Sequence, residues 1–194
     1  MGISPEILSE FRSCLEAAEQ AGEIEPTALT VASRAIGEGV SARTVLLKHF
    51  DERGFVFYTN LESNKGRQLR ANPEAALVFH WKTIRRQVVV EGRVELVSDQ
   101  EADEYFATRP RGSQLGAWAS KQSQVLNSRA ELLKRVVAVE ARYIGRKVPR
   151  PPHWSGFRVI PRMIEFWNGQ DNRLHDRFRY TLFEAGWEKQ RLYP

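Results

Sequence analysis

The stretch AALVFHWKTIRRQVVVEGRVELV, residues 75–97, decides the fold class. Runs rich in apolar, β-branched and aromatic residues cover Ala75–Trp81 and Arg86–Val97, and only four residues separate them. A connection this short predicts an antiparallel hairpin, because a parallel crossover needs a dozen or more residues. Gly92, inside the second run, indicates a β-bulge.

Similar runs and turns continue on both sides of this hairpin. Further strands are predicted over Thr27–Ser33, Ser41–Phe50, Phe55–Thr59, Arg162–Trp167, His175–Phe183 and Trp187–Leu192, with turns at Gly37–Gly39, Asp51–Gly54 and Asn168–Asn172. The pattern predicts a mainly β, α+β protein in which six or seven antiparallel strands close into a small barrel with helices outside.

Helix signals occur between these strands and at the N-terminus. Ser4 and Pro5 suit the N-cap and the first position of a helix, and Cys14 falls on its apolar stripe, which assigns Cys14 to the core. Helices are predicted over residues 5–21, Ser63–Ala71, Asp99–Thr108 and Ser128–Tyr143, whereas Gly112–Gln124 is predicted as a loop or short helix and Lys147–His153 as a connector.

The composition is typical of one soluble globular domain spanning residues 1–194. Hydrophobic residues make up 42% and charged residues 27% of the chain, and no apolar run reaches 18 residues, so no membrane span is predicted. Cys14 is the only cysteine, which rules out an intrachain disulfide and favours a cytoplasmic location. The histidines and this cysteine lack the spacing of metal ligands, and no secretory signal is recognised.

Positive charge is concentrated in the second half of the chain. Residues 1–100 carry 12 basic and 14 acidic side chains, whereas residues 101–194 carry 17 and 10. Such an excess suits either an anionic partner or a merely solvated basic face. Since no basic tail, zinc-finger spacing or other nucleic-acid motif is present, small phosphorylated molecules are favoured over nucleic acid as anionic partners.

Arg173, His175 and Arg177 form the first group of candidate site residues. In an extended strand their alternate spacing places all three on one face, with Leu174 and Asp176 on the other. A buried core face would not carry two arginines and a histidine. The group is therefore either a ligand site or a solvated outer face.

Tyr105, Arg109 and Ser113 form the second group. Tyr105 and Arg109 are one helical turn apart and share a helix face, and Ser113 follows just past the helix end. Phenol, guanidinium and hydroxyl together suit a phosphate clamp. The alternative is a capped and solvated helix end.

Arg43, Lys48 and Lys65 are further candidates for anion binding. Arg43 and Lys48 are five residues apart, so a regular strand points them to opposite faces, and they do not hold one phosphate together unless a bulge intervenes. Lys65 lies near a helix N-terminus, where anions are favoured. Each of these cations is also compatible with an ordinary surface charge.

Several common catalytic motifs are absent from the sequence. It has no Gly-x-Gly-x-x-Gly dinucleotide fingerprint, no Gly-rich loop ending in Gly-Lys-Ser/Thr, no Gly-x-Ser-x-Gly elbow and no His-Glu-x-x-His. The sequence therefore gives no sign of a kinase, a hydrolase or a metalloenzyme of these types.

A set of motifs, read together, resembles the pyridoxamine (pyridoxine) 5′-phosphate oxidase family. The motifs are Arg43–Lys48 (RTVLLK), Phe57–Asn60 (FYTN), Arg86–Val88 (RQV), Tyr105–Phe106 (YF) with Arg109–Gln114 (RPRGSQ), Gly116–Ser123 (GAWASKQS), Ile164–Trp167 (IEFW) and Arg173–Phe178 (RLHDRF). The Arg-Pro-Arg-x-Ser and Arg-Leu-His-Asp-Arg patterns in one chain, in this order, are highly specific. The resemblance extends from about Glu23 to Pro194.

The resemblance implies a split β-barrel that binds FMN at the interface of a homodimer. It also implies oxidation of pyridoxine 5′-phosphate or pyridoxamine 5′-phosphate to pyridoxal 5′-phosphate, in vitamin B6 salvage. Oxygen would be the final acceptor, giving hydrogen peroxide, and the amine substrate would also release ammonia. The flavin carries the redox chemistry, while the protein supplies position and electrostatics.

The resemblance further implies roles for individual residues. The substrate phosphate would be held by Lys48, Tyr105, Arg109 and Ser113, and the substrate ring would meet the two candidate catalytic residues, Arg173 and His175. FMN would be bound by Arg43, Thr44, Val45, Leu46, Leu47, Lys48, Tyr58, Thr59, Lys65, Gln87, Gln122, Ser123, Trp167 and Arg177. Arg43 and Lys65 would belong to the FMN phosphate, so that Arg43 and Lys48 serve two different phosphates.

Three features depart from the family pattern. Asn64 replaces the arginine that usually precedes Lys65, which predicts weaker FMN binding unless Arg67 compensates. An Arg-Arg-x-Tyr stretch that can close over the substrate is missing before the first helix, which predicts looser substrate binding. His80 stands where the family more often has proline or tyrosine, and we interpret it as a structural histidine.

Two other functions stay open on the same scaffold. A related FMN oxidase of the phenazine-biosynthesis type would lack the full substrate clamp, which this chain keeps at Arg109–Ser113. A non-catalytic protein that binds a flavin or a B6 vitamer would not need Arg173 and His175 at a reacting face. Fold alone does not decide among these functions.

Overall fold

The computed structural model describes residues 2–34, 37 and 39–194, so the predicted turn at Gly37–Gly39 lies partly outside the described residues. The helices are α1 (Pro5–Gln20), α2 (Asn64–Ala71), α3 (Asp99–Thr108), α4 (Arg111–Ala119) and α5 (Arg129–Arg142). The strands are β1 (Ala28–Arg34), β2 (Val40–Leu46), β3 (His49–Asp51), β4 (Gly54–Asn60), β5 (Glu74–Trp81), β6 (Arg86–Leu96), β7 (Trp154–Asn168), β8 (Asp176–Phe183) and β9 (Gly186–Leu192). A short 3₁₀ helix spans Asp171–Arg173.

The described strands form one antiparallel sheet that curls into a barrel. Its order is β2-β1-β5-β6-β7-β4-β3, while β8 pairs with β7 and β9 with β8. β2 and β3 are consecutive pieces of chain at the two ends of this order, so the chain between them closes the barrel. The ladders of the described residues do not join β2 to β4, although these strands lie side by side, and the barrel is split at that edge.

The junction of β2 and β3 explains why the predicted strand Ser41–Phe50 is broken. The Leu47 amide donates to the Thr27 carbonyl oxygen at 2.8 Å, whereas the next amide, that of Lys48, donates to the Val56 carbonyl oxygen at 2.8 Å. The chain therefore changes partner between these two residues, from β1 to β4. With β2 and β3 counted as one kinked strand, six strands form the barrel, as predicted, and β8 and β9 extend the sheet.

β7 is the longest strand and connects most of the sheet. It pairs with β6 along its length, with β4 through its first half and with β8 through its second half. The predicted strand Arg162–Trp167 is only its second half. The bulge predicted at Gly92 is confirmed, because the register of β6 against β7 shifts between Glu91 and Gly92. A Cβ at Gly92 would lie 2.0 Å from the Ile160 carbonyl oxygen, so only glycine fits there.

α1 covers the core of the barrel. The Ser4 hydroxyl caps it by accepting from the Ile7 amide at 3.4 Å. Phe11, on its inner face, is fully buried and meets aromatic rings of the barrel at centroid distances of 4.9 to 5.0 Å. Cys14 is 4% exposed on the same face, which confirms its assignment to the core.

α3, α4 and α5 pack together at one side of the barrel. Ser98 and Glu101 form the capping box of α3, and Gly112–Gln124, predicted as a loop or short helix, contains most of α4 followed by a turn. A second apolar cluster joins these helices to the start of β7, where Trp154 is 5% exposed. This packing fixes the helices next to the split edge of the barrel.

Candidate active site

A cleft of about 660 Å³ lies between the split edge of the barrel and the corner of α3 and α4. Most of the predicted phosphate-binding residues and many of the predicted FMN-binding residues line it. The lining consists of Thr44, Val45, Leu46, Lys48, Tyr58, Thr59, Asn60, Lys65, Tyr105, Thr108, Arg109, Pro110, Ser113, Gly116, Ala117, Ser120, Gln122 and Trp154.

The Arg109 side chain is held in this cleft with a hydrogen-bond donor left over. Its Nη1 atom is buried and has no partner among the described residues. The guanidinium carbon lies 4.7 Å from the centre of the Trp154 ring and 5.5 Å from that of Phe106. Burial lowers the pKa of Arg109, although the Tyr105 hydroxyl opposes this shift. A buried cationic donor without an acceptor is costly, so the position fits an anionic ligand.

Three different elements bring Lys48, Tyr105 and Ser113 to Arg109. Lys48 lies at the break between β2 and β3, Tyr105 lies in the last turn of α3, and Ser113 lies in the first turn of α4. Arg109 itself follows α3 in extended conformation, with φ −69° and ψ 145°, so it does not share a helix face with Tyr105 as predicted. Burial raises the pKa of Tyr105, which keeps its hydroxyl protonated as a donor.

Lys65 and Arg43 form a second cationic pair beside the same cleft. Lys65 is 9% exposed, and its Nζ atom lies 3.1 Å from Thr59 Oγ1 and 3.2 Å from Gln122 Oε1. Arg43 donates to the Ser33 hydroxyl at 2.6 Å and also to Ser41 and Gln68. These recorded partners are all uncharged. Burial lowers the pKa of Lys65, and repulsion from Arg43 lowers it further. The pair therefore also fits an anion.

Asn64 lies next to this pair at the start of α2. The backbone amide of Asn64 donates to the Ser123 hydroxyl at 3.2 Å. Ser123 has a left-handed backbone conformation with φ 71°. The Arg67 guanidinium donates to Asn64 Oδ1 at 2.6 Å and also to the Glu62 carbonyl oxygen. The structure thus places the Arg67 charge beside the residue that departs from the family pattern.

Gln87, Trp167 and Arg177 form a row across three neighbouring strands. Gln87 is directly opposite Trp167, and Trp167 is directly opposite Arg177, so the three side chains share one face of the sheet. Their neighbour Phe166 is 2% exposed and points to the barrel core, so the row faces outward. Arg177 Nε donates to Glu165 Oε1 at 2.9 Å.

The prediction that Arg173, His175 and Arg177 share a strand face is wrong. β8 begins only at Asp176, and Arg173 lies in the 3₁₀ turn before it with φ 62°, next to Asn172 with φ 54°. Alternation of faces holds only in an extended chain, and these left-handed residues interrupt it. His175 is nevertheless brought to the row, since its ring centre lies 4.5 Å from that of Trp167.

Only some of the predicted site residues of one chain therefore line the cleft. The β6–β8 group, which consists of Gln87, Trp167, Arg173, His175 and Arg177, contributes nothing to the described lining of the cleft. Three further predicted residues stand behind that lining. Leu47 is 4% exposed in the core, while Arg43 and Ser123 are next along the chain to the lining residues Thr44 and Gln122.

His80 is not the hydrogen-bonded structural histidine that was interpreted from the sequence. It is exposed on β5, directly opposite Gln87, and its ring has no hydrogen bond among those found in the described residues. Its position extends the outward row by one strand.

Neither a metal centre nor a membrane-spanning helix is found in the part of the chain that the structure describes. No group of three or more His, Cys, Asp or Glu residues there is placed to hold a metal ion. No helix there combines the length and apolar character that crossing a membrane requires.

Two family models together match most of the chain. The model described as "Pyridoxamine 5'-phosphate oxidase" matches residues 15–143, which include both cationic groups of the cleft. The chain belongs to the pyridoxamine 5′-phosphate oxidase family. A second model, described as "Pyridoxine 5'-phosphate oxidase C-terminal dimerisation region", matches residues 154–194, which carry four of the five residues of the β6–β8 group.

Relatives in the pyridoxamine 5′-phosphate oxidase family are similar over almost their whole length. A pyridoxine/pyridoxamine 5′-phosphate oxidase of Myxococcus xanthus is 57% identical over 192 residues, covering 99% of this chain and 93% of the relative. A pyridoxine/pyridoxamine 5′-phosphate oxidase from Rubrobacter xylanophilus is 53% identical, covering 100% of this chain and 89% of the relative. Among solved structures, PhzG from Burkholderia lata, in complex with tetrahydrophenazine-1-carboxylic acid, is 29% identical with a TM-score of 0.92 and covers 99% of this chain and 98% of that one.

Sequence reasoning missed Trp154, the residue on which Arg109 lies. No short spacing connects the two, because they are 45 positions apart and meet only through the packing of α3 against β7. Aromatic residues are by default assigned to the core. Only a family comparison that includes the segment after the proline-rich connector could have singled it out.

Proposed function

We propose that this protein oxidises pyridoxine 5′-phosphate and pyridoxamine 5′-phosphate to pyridoxal 5′-phosphate, with FMN as cofactor and oxygen as electron acceptor. The observation that carries the proposal is the presence of two uncompensated cationic positions at one cleft. One is the buried, unpartnered Nη1 of Arg109, and the other is the Lys65–Arg43 pair. A phosphorylated substrate beside a phosphorylated cofactor would satisfy both positions.

The substrate phosphate would occupy the Arg109 position. Lys48, Tyr105 and Ser113 line the cleft with it and add an ammonium group and two hydroxyls. Charge-assisted hydrogen bonds from such groups are stronger than neutral ones, particularly where water is partly excluded. This set would therefore distinguish a phosphorylated vitamer from its free alcohol or amine.

The FMN phosphate would occupy the Lys65 position. Thr59 and Gln122 hold the ammonium group with neutral oxygens, so its charge is left for a ligand. Arg43 is fixed by Ser33 and supplies a second charge. Thr44, Val45, Leu46 and Tyr58 line the same cleft and would contact the remainder of the cofactor. The residues present thus fit a flavin mononucleotide.

The β6–β8 group would complete the cleft from a second subunit. Within one chain this group lies outside the cleft, and most of it belongs to the segment that matches a dimerisation region. In a homodimer with two-fold symmetry each subunit would give one cleft and one β6–β8 group. Gln87, Trp167 and Arg177 would then face the flavin, and Arg173 and His175 the substrate ring.

When bound, FMN would supply the two-electron redox chemistry, with oxygen as the final acceptor. The alcohol substrate loses two hydrogens to give the aldehyde and hydrogen peroxide, and the amine substrate also takes up water and releases ammonia. His175 Nδ1 accepts from the Gln170 amide at 3.0 Å, so the ring proton is assigned to Nε2 and His175 would meet the substrate as a donor. Arg173 would supply positive charge to the ring. The buried, unpaired Cys14 is consistent with our proposal of a cytoplasmic reaction.

A second candidate is an FMN oxidase that acts on a phenazine precursor. One observation favours it, the TM-score of 0.92 with PhzG at 29% identity. The relatives with 53 to 57% identity carry the name of the B6 enzyme instead. The complete Arg109–Ser113 clamp also favours a phosphorylated substrate. A non-catalytic flavin or vitamer carrier would give no account of Arg173 and His175.

The deciding experiment follows the flavin spectrum. The FMN-loaded protein receives pyridoxine 5′-phosphate without oxygen, the flavin band near about 450 nm is recorded, and air is then admitted. We expect bleaching, recovery in air, and formation of pyridoxal 5′-phosphate and peroxide. Tetrahydrophenazine-1-carboxylic acid and unphosphorylated pyridoxine serve as controls. A flavin that both phosphorylated vitamers leave oxidised would exclude the proposal, and bleaching by the phenazine compound alone would establish the second candidate.

Mixed dimers test the sharing of the site between subunits. At pyridoxine 5′-phosphate concentrations well below the wild-type KM, Arg109→Ala and Arg173→Ala homodimers are each expected to be almost inactive. After unfolding and refolding together, about one quarter of the wild-type activity should return, since half of the dimers are mixed and each of these holds one complete site. No recovery, with mixed dimers shown to be present, would place both residues in one subunit's site.

A further inference from the structure

We infer that Trp154 is a positioning residue for the substrate phosphate: its indole face holds the Arg109 guanidinium in the cleft and leaves one of its donors free. The inference rests on the proposed function and deepens it, because it names a residue that the predicted site did not contain. It starts from the contact of 4.7 Å between the Arg109 guanidinium carbon and the centre of the Trp154 ring.

The Trp154 ring is itself held firmly by its surroundings. The Trp154 amide donates to the Pro151 carbonyl oxygen at 3.0 Å, and Arg150 Nη1 donates to the Trp154 carbonyl oxygen at 2.9 Å. The ring lies parallel to Tyr58 at 5.1 Å, and Phe106 meets it edge-on at 5.0 Å. Backbone and ring are therefore both fixed before any ligand arrives.

An aromatic face differs from a carboxylate as a support for a guanidinium. It attracts the positive charge through its quadrupole but accepts none of the in-plane N–H bonds. A carboxylate would occupy these donors and neutralise the charge. Support by Trp154 and Phe106 thus explains how the Nη1 atom of the half-buried Arg109 can be buried without a hydrogen-bond partner.

The same indole also fixes a second group of the phosphate site. Tyr105 lies against Tyr58 with ring centres 4.1 Å apart and an interplanar angle of 18°, and it is nearly parallel to Trp154 at 6.2 Å. One aromatic cluster therefore orients both Tyr105 and Arg109. Loss of the indole face should weaken phosphate recognition without touching the electron transfer.

The test compares Trp154→Leu with Trp154→Phe. We expect the KM for pyridoxine 5′-phosphate to rise about tenfold in the leucine variant and about threefold in the phenylalanine variant, whose ring is smaller. The kcat and the Kd for FMN, measured by flavin fluorescence, should stay within about twofold of wild type. Trp187→Leu is the matched control, because Trp187 donates to the Gly2 carbonyl oxygen away from the cleft and should leave the KM unchanged.

Binding of inorganic phosphate to the FMN-loaded protein, measured by calorimetry, separates this inference from the proposed function. Weaker phosphate binding in Trp154→Leu and in Arg109→Met supports the inference even if no B6 vitamer is oxidised, a result that would count against the proposed function alone. If Trp154→Leu does not fold, Trp154→Phe carries the test. Unchanged KM and unchanged phosphate binding in the folded Trp154 variants would overturn the inference, as would an equal rise in KM for Trp187→Leu.

Discussion

Arg158, which is buried, and Arg109, which is half-buried, are stabilised in opposite ways. Arg158 is 2% exposed, and its two Nη atoms donate to Asp51 Oδ1 and Glu101 Oε1, each at 2.8 Å. Arg109 lies on the rings of Trp154 and Phe106 and keeps one donor without a partner. The first cation is neutralised inside the fold. The second is half-buried, with a buried Nη1 atom and no charged partner among the described residues, which is how a site prepared for an anion differs from a structural ion pair.

The difference extends to the neighbouring titratable groups. Burial alone would raise the pKa of Asp51, but the hydrogen bond from Arg53 and the charge of Arg158 hold it below its ordinary value. In the cleft, by contrast, burial lowers the pKa of both Lys65 and Arg109. The carboxylates near Arg158 are thus stabilised in their charged form. The cations near the cleft are instead destabilised in their charged form until an anion binds.

The largest effect should come from breaking the neutralised arginine. Arg158→Met leaves Asp51 and Glu101 with the exposed side chains of Arg53 and, at Asp51, His49, so the free energy of unfolding should fall by about 3–5 kcal/mol. Arg109→Met should change it by less than about 1 kcal/mol, because no ion pair is lost. Urea unfolding of both variants measures the difference, and equal losses would contradict the comparison.

The second largest effect concerns substrate binding, for which we expect Arg109 to matter more than Arg158. Arg109→Met should raise the KM for pyridoxine 5′-phosphate about 100-fold, because charge-assisted bonds to the phosphate are lost, while FMN stays bound. Arg109→Lys keeps the charge without the planar fork and should lie between this variant and the wild type. Steady-state kinetics with the flavin content measured in parallel gives the answer. Loss of flavin from Arg109→Met would show that the two anion positions are assigned wrongly.

A smaller effect is expected at the second cationic pair. Lys65→Met should weaken FMN binding about tenfold at neutral pH. Because burial and Arg43 lower the pKa of Lys65, the lysine loses its charge at a lower pH than the ordinary 10.5. The FMN affinity of the wild type should therefore fall as the pH rises, with a midpoint below 10.5, and Lys65→Met should lack this step. Flavin fluorescence titrations across alkaline pH test this, and the same step in both proteins would assign it to another group.

The smallest effect concerns acid stability. The pKa values of Asp51 and Glu101 are lowered in the folded protein from ordinary values of 3.8 and 4.5. Their stabilisation is thus complete above these ordinary values and disappears as the pH falls through the lowered ones. Arg158→Met should reduce this acid-dependent loss by about 1 kcal/mol. Unfolding curves between neutral and strongly acidic pH would show it, and an unchanged acid dependence would remove Arg158 as its cause.

Tyr105, Arg109 and Ser113 line one cleft, whereas Arg173 lies outside the strand face on which it was predicted. Arg109 and Ser113 are close along the chain, and a helix end brings such residues together through local geometry. The expected shared face of Arg173 and Arg177 depended on a regular strand, and the left-handed Asn172 and Arg173 remove that condition. Alternation is thus a dependable guide only where the backbone is known to be extended.

A single sequence did not allow us to predict where a strand changes its hydrogen-bonded neighbour or which distant residues pack together. The break at Leu47–Lys48 arises because neighbouring amides pair with different strands, and nothing in that segment's own pattern signals it. Trp154 meets Arg109 only through tertiary packing. The row of Gln87 and Trp167 likewise depends on the register of two strands far apart in the chain. The strands of the barrel could be predicted from local sequence patterns. These contacts could not, because they depend on which strands pair and how the helices pack.

The bulge opposite Gly92 limits which insertions and deletions this protein can tolerate. Before the bulge, the odd-numbered Val159 points into the core, and after it the even-numbered Ile164 does. Gly92 pairs with Pro161, whereas the preceding residue, Glu91, pairs with Met163. Arg162 is therefore the extra residue of the bulge. Removing it would turn Trp167 inward and send core side chains into water. The number of residues in this strand is therefore fixed, because adding or removing one would exchange its inward and outward faces.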